Sequence, residues 1–184
     1  ILNPIGKEDY VIPDTREGWC DSLRDQIECY FTGGRKPNFK YHEIRPAGLP
    51  IKGFGGIASG PEPLKEMHQR VDDFFYQYMM HDDYDSVRLK MDIVNSIGVC
   101  VVAGNVRRSA ELAAAPIDDP TFINLKNYEQ YPARKAIGWM SNNSVYLEKD
   151  EDFARLGEIA ERVVRNGEPG YINLRNLPKG RIGK

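Results

Sequence analysis

Strand-length and helix-length segments take turns along this chain, and that alternation limits its folds more than any other feature. In PDTREGWCDSLRDQIECYFTGG, Trp19, Leu23, Ile27, Tyr30 and Phe31 recur at helical spacing. Asp14 and Glu17 stand at capping-box spacing, and Gly33 and Gly34 end the run. NFKYHEIRP alternates Phe39, Tyr41 and Ile44 and predicts a strand, followed by a long Gly- and Pro-rich loop, AGLPIKGFGGIASGPEPL. A helix is predicted from Pro63, with Leu64, Met67, Val71, Phe74, Phe75 and Tyr78 on one face. HDDYD then connects it to, and caps, a helix striped with Val87, Met91, Val94, Ile97 and Val101. AELAAAP and SNNSVYLEK predict strands with a weaker helix, Phe122 to Tyr128, between them. DEDFARLGEIAERVVRNGEPG predicts one helix with Phe153, Leu156, Ile159, Ala160 and Val163 inward and Gly167 at its end, and YINLRN a last strand. Helices of crossover length between strands favour a parallel α/β sheet or barrel.

Composition narrows the function classes. The 184 residues suffice for a real core, and 41% apolar with 28% charged residues fits an ordinary globular class. The formal net charge of −2 argues against a general nucleic-acid binder. No apolar run reaches bilayer-spanning length, and no secretory signal pattern is visible. Cys20, Cys29 and Cys100 form no CxxC and, with His42, His68 and His81, no zinc spacing. An odd cysteine count predicts reduced thiols in a cytoplasmic setting, and no metal site is expected.

Three stretches could carry chemistry. In EIRPAGLPIKGFGGIASG, glycines let a backbone approach a ligand, and Arg45 and Lys52 flank the turn with charges that suit phosphates. The spacing is neither a P-loop nor a dinucleotide fingerprint, and a surface loop with incidental charges explains it as well. In VVAGNVRRSAELAAAP, Arg107 and Arg108 follow Gly104 and Asn105, which tolerate left-handed backbone. The competing reading gives both cations to helix carbonyls and a carboxylate such as Glu111. Asn142, Asn143 and Ser144 could bind a ligand inside a barrel, but Asn and Ser are also ordinary at a strand entrance. Cys100, on an apolar helical face with no base beside it, reads as a buried thiol. The aspartates 72, 73, 82, 83 and 85 read as a solvated face and cap.

In this order along the chain, IRPAGLPIKGFGGIASGPEPL, VAGNVRRSAE, GWMSNNSV and NGEPGYINL resemble the catalytic subunit of ribonucleotide reductase. The resemblance covers nearly the whole chain and is closest to the adenosylcobalamin-dependent (class II) enzymes. PDTREGW followed by YFTGG is similar to class II relatives too, with the monomeric triphosphate-reducing form nearest. The resemblance implies an α/β fold, part of a ten-stranded α/β barrel around a radical-bearing finger loop. Residues 1–37 would be a helical effector-side region and 38–184 a barrel segment with both specificity loops. It places an allosteric dNTP effector on Arg45, Pro46, Gly48, Ile51 and Lys52. A substrate-specificity loop falls on Ala103, Gly104, Asn105, Val106, Arg107, Arg108 and Ser109, with Arg107 reaching the ribonucleotide substrate.

In such enzymes a thiyl radical takes the ribose 3′ hydrogen, the 2′ hydroxyl leaves as water, and a cysteine pair supplies the electrons. The implied partners are adenosylcobalamin, a thioredoxin-type reductant and the remainder of the reductase chain, with no nucleic acid and no membrane. The family's Asn-Pro-Cys radical motif is absent from the sequence, so no catalytic residue is expected in it, and both ends look cut from something longer. The expectation is therefore a specificity-bearing fragment that is inactive alone. The alternatives are a stand-alone nucleotide-binding regulatory module, or an interaction protein using the Trp19–Phe31 face.

Overall fold

The structure is a computed structural model in which residues 1–51, 56–103 and 110–179 are described. It is α/β with its five strands paired in parallel, and its residues cluster into two units, Ile1–Tyr84 with Ser96–Ser109 and Asp85–Asn95 with Ala110–Lys184.

In the first unit, β1 (Lys7–Val11) pairs in parallel with β2 (Lys36–Lys40), Tyr10 standing opposite Phe39. The sequence reading misses β1, whose five residues KEDYV are mostly exposed and carry three charges. It also places β2 too late, because Tyr41, Ile44 and Arg45 already belong to the following turn. Between the strands runs α1 (Arg16–Thr32), the crossover that parallel pairing requires. Its cap is Thr15, whose hydroxyl accepts from Gly18 N at 2.9 Å, so Asp14 is not the capping residue. Its buried face is Gly18, Ser22, Gln26, Cys29 and Tyr30, while Phe31 is 60% exposed. α2 (Glu62–Met80) buries Leu64, Met67, Val71 and Phe75, as its apolar period predicts. Ile12, Ile44, Leu64, Met67 and Cys100 form this unit's core.

α3 (Ser86–Val102) contributes residues to both units. The apolar stripe read in the sequence is only part of its inward face: Val87, Met91 and Ile97 pack against the cores, Val94 and Val101 are exposed, and Leu89, Asp92, Asn95, Ser96 and Cys100 are buried. Asp92 and Asn95 can be inside because they find polar partners, described below.

The second unit is a three-stranded parallel sheet in the order β3 (Glu111–Pro116), β4 (Ser141–Leu147), β5 (Gly170–Asn173). Between β3 and β4 lie α4 (Pro120–Asn124), which starts earlier and ends sooner than expected, and two 3-10 turns, Pro132–Ala136 and Gly138–Met140. Asp119 caps α4 through Phe122 N at 2.8 Å, and Pro120 occupies its first turn, which fixes the early start. The helix expected between β4 and β5 is two, α5 (Asp150–Ala154) and α6 (Leu156–Asn166), separated at Arg155. The Arg155 guanidinium donates to the Ile117 carbonyl at 3.0 Å. Val145, Leu147, Phe122, Leu125 and Ile159 lead this unit's core. Among the described residues no helix is long and apolar enough to cross a membrane.

Candidate functional site

The connection from β2 to α2 builds the first candidate site. Ile44 is buried in the core, which anchors Arg45 beside it. The Arg45 Nε donates to Asp14 Oδ2 at 2.5 Å, with both side chains about one-third exposed. The chain then folds into a narrow hairpin. Gly48 N donates to the Ala58 carbonyl (3.0 Å), Ala58 N to the Leu49 carbonyl (2.7 Å) and Ile51 N to the Gly56 carbonyl (2.9 Å), with Pro50 bridged to Ile57. Gly48 and Gly60 have φ of +92° and +77°, where a side chain is strained. A Cβ on Gly60 would also stand 3.1 Å from Ala47 N, so a side chain there would press on the base of the hairpin.

Pro46 borders a cleft of about 620 Å³ that Tyr41, Ala47, Pro61 and Lys65 also line. The Lys65 ammonium lies 5.4 Å from the Tyr41 ring centroid and 3.2 Å from Glu62. Of the predicted effector residues, Arg45, Pro46, Gly48 and Ile51 thus share one hairpin arm, and Lys52 lies outside the described residues. In the predicted substrate loop, Ala103 follows α3 with its N–H 3.4 Å from the Cys100 carbonyl. Gly104, Asn105, Val106, Arg107, Arg108 and Ser109 lie outside the described residues.

The flanks of that loop are described and hold a buried polar network that sequence reasoning misses. Arg134, 1% exposed, forms an ion pair with Asp92, 2% exposed. Its Nε donates to the Leu125 carbonyl at 2.8 Å and its Nη2 to Asn95 Oδ1 at 3.0 Å. Asn95 Nδ2 donates to Glu111 Oε2 at 2.7 Å. Arg88 approaches Asp92 at 3.6 Å and lies 4.4 Å from the Tyr131 ring centroid. Asp92 and Asn95 lie three apart on one helix face, a spacing visible in the sequence. Arg134 gives no signal there, because it comes from a distant irregular turn.

Asn142, Asn143 and Ser144 are the second to fourth residues of β4, at its entrance. Asn143 is buried; Asn142 and Ser144 occupy the opposite face. One ion pair holds both peptide groups around Asn142. Lys126 Nζ donates to the Ser141 carbonyl (2.7 Å), Glu168 Oε2 accepts from Asn143 N (3.1 Å), and the two charges are 3.2 Å apart.

Several further buried or half-buried titratable groups have structural partners. His68 is buried, stacked on Phe39 at 4.0 Å, and burial pushes its pKa down to about 4. The Ser22 hydroxyl donates to the Trp19 carbonyl (2.8 Å), so it accepts from His68 Nε2 (3.1 Å), and the Tyr41 hydroxyl donates to Nδ1 (2.8 Å). Burial raises the Tyr41 pKa, and burial together with Asp72 raises that of Tyr30. Asp72 pairs with Lys36 at 2.7 Å and accepts from Tyr30 and Gln26, and Asp85 caps α3 through Val87 N and Arg88 N, both at 2.9 Å. Burial pushes Cys29 and Cys100 up to about 11, away from reactive thiolate character. No group of His, Cys, Asp and Glu suited to a metal occurs among the described residues.

Comparison with known proteins gives these arrangements a context. Residues 5–75 match the family described as B12-dependent ribonucleotide reductase, insertion domain. A probable adenosylcobalamin-dependent ribonucleoside-triphosphate reductase of Dictyostelium discoideum is 40% identical over 168 residues, 91% of this chain and 22% of that protein. The corresponding Euglena gracilis reductase is 41% identical over the same shares, and that of Lactobacillus leichmannii 40% identical over 90% of this chain and 22% of its own length. A crystal structure of a B12-dependent (class II) ribonucleotide reductase superposes with a TM-score of 0.74 at 36% identity, covering 91% of this chain and 23% of the other. The chain thus spans less than a quarter of the length of these relatives.

Proposed function

The chain is a homologue of one segment of the adenosylcobalamin-dependent ribonucleotide reductases, and from that kinship we propose that it forms the specificity-bearing part of a ribonucleoside-triphosphate reductase. The observation that carries the reading is the extent of the match: about 40% identity over 91% of the chain, accompanied by the same fold. In this reading residues 1–37 are the effector side and 38–184 contribute to a ten-stranded barrel. The Arg45–Ile51 arm with Lys52 grips the phosphates of a deoxynucleoside triphosphate, and residues 103–109 report its identity to the ribonucleotide pocket through Arg107. A glycine-based hairpin suits this task because it can hold a few discrete shapes, among which an effector base selects.

Adenosylcobalamin supplies a radical when bound. Both ring nitrogens of buried His68 are engaged by Ser22 and Tyr41, so this imidazole has no nitrogen to offer a cofactor. We assign the cofactor, the radical and reducing cysteines and the docking of a thioredoxin-type reductant to segments of the relatives that this chain does not span. Cys29 and Cys100 receive no redox role, since burial keeps them protonated.

The test is the reductase that carries this chain, supplied with adenosylcobalamin, a dithiol and each of the four ribonucleoside triphosphates. Effector-dependent formation of deoxynucleotides is expected. Arg107→Ala lowers turnover while effector affinity survives. Unchanged turnover in that variant, or no deoxynucleotide from any substrate, removes the assignment.

A further inference from the structure

The polar network on α3 has a direction. Arg134 carries only donors and an ionised Glu111 only acceptors, so the carboxamide of Asn95 between them has one orientation that serves both, its oxygen to Arg134 and its nitrogen to Glu111. Asn95 is fully buried. Arg134 is itself fixed by the Leu125 carbonyl and by Asp92. Glu111 is the first residue of β3, whose one strand partner among the described residues is β4, Glu111 opposite Ser141. Asn95 therefore attaches the start of that strand to a fixed guanidinium. Burying such groups carries a desolvation cost that an apolar helix face would avoid, so what the network specifically provides is position.

We infer that Asn95, through Glu111, is a positioning residue for substrate selection: it sets where the strand that follows Arg107 and Arg108 in the sequence begins. Glu111 follows Ser109 by two residues, so displacing the strand start displaces one end of the segment that would convey effector identity. The inference rests on the reading under Proposed function. Neither Asn95 nor Glu111 is assigned there to a ligand, so their effect is on coupling and not on binding.

The test exchanges donor and acceptor. Asn95→Asp sets a carboxylate against that of Glu111. Glu111→Gln keeps an acceptor for Asn95. The double variant Asn95→Asp/Glu111→Gln rebuilds the bond with its polarity reversed, while the carboxylate introduced at position 95 still accepts from Arg134. In the full reductase, effector-dependent discrimination between two ribonucleotide bases should fall about tenfold in N95D. Effector affinity should change less than about threefold, and the double variant should recover discrimination. Parental discrimination in N95D overturns the inference. If the parent reduces no nucleotide, the reading under Proposed function falls separately, and amide hydrogen exchange of Glu111–Pro116 decides the tether. Faster exchange in N95D that the double variant reverses supports it, and identical exchange in all variants overturns it.

Discussion

Asp14 and Arg45, thirty-one residues apart, meet at 2.5 Å between Oδ2 and Nε, and this pair orients the guanidinium at the base of the hairpin proposed to hold an effector. Two effects of Asp14 oppose each other. Its carboxylate offsets part of the Arg45 charge, and it also holds a long side chain in one geometry, which removes an ordering cost of up to about 2 kcal/mol at binding. The pair is partly exposed, so the Coulomb share is screened and orientation wins. In the complete enzyme Arg45→Ala should weaken dNTP binding by at least about tenfold and Asp14→Asn by about threefold. Calorimetric titration decides it; tighter binding by the Asp14→Asn variant would show that the carboxylate competes with phosphate.

Arg134 is the second point of leverage, on stability. Its partner Asp92 and its acceptors Asn95 and the Leu125 carbonyl are all inside the second unit. Removing one member of a buried pair leaves the other charge without full compensation, which costs about 3–5 kcal/mol. Arg134→Met should show that loss in urea denaturation, and Arg134→Met with Asp92→Leu should regain part of it. A loss below about 1 kcal/mol would mean that water reaches Asp92 in the variant.

These two arginines also mark how far the sequence is legible. Strand and helix alternation, the ends of α1 at Gly33 and α6 at Gly167, and the buried face of α2 follow from local periodicity and capping, and each is found. Arg45 stands out because charge and glycine coincide in one loop. What local reading cannot reach is partnership over distance: Asp14 with Arg45, Arg134 with Asp92, Lys126 with Glu168. For the same reason local periodicity finds Val87, Met91 and Ile97 on the inward side of α3 but misses its polar buried residues. Asp92 and Asn95 become core residues only because Arg134 and Glu111 arrive from elsewhere in the chain. β1 is illegible because a short, charged, exposed strand has no period of its own.

His68 gives the chain an acid-side pH dependence. Its folded pKa is about 4, below the ordinary 6.5, because burial disfavours the cation; nearby Asp72 acts in the opposite sense. The unfolded chain therefore takes up a proton that the folded chain refuses, and stability rises with pH between those values. The His68 contribution is complete above about pH 6.5 and is lost as pH falls toward 4, by about 3 kcal/mol at most. Denaturant midpoints at pH 7 and pH 4.5 should differ more in the parent than in His68→Gln, and equal differences would show that His68 titrates normally.

Two of the hairpin's positive-φ glycines, Gly48 and Gly60, separate backbone conformation from crowding. Gly48 at φ +92° has open space where a Cβ would go, so Gly48→Ala meets only the conformational penalty of about 1–2 kcal/mol. Gly60 at φ +77° carries the same penalty and in addition would bring its Cβ to 3.1 Å from Ala47 N and 3.3 Å from Ala47 Cβ, contacts the backbone must yield to relieve. Yielding there strains the bond from Gly48 N to the Ala58 carbonyl, since residues 47 and 60 lie just outside it. Gly60→Ala should therefore be the more destabilising by about 1 kcal/mol and should speed amide exchange at Gly48 and Ala58 more than Gly48→Ala does. Equal exchange in the two variants would show that the base of the hairpin absorbs the methyl group without moving.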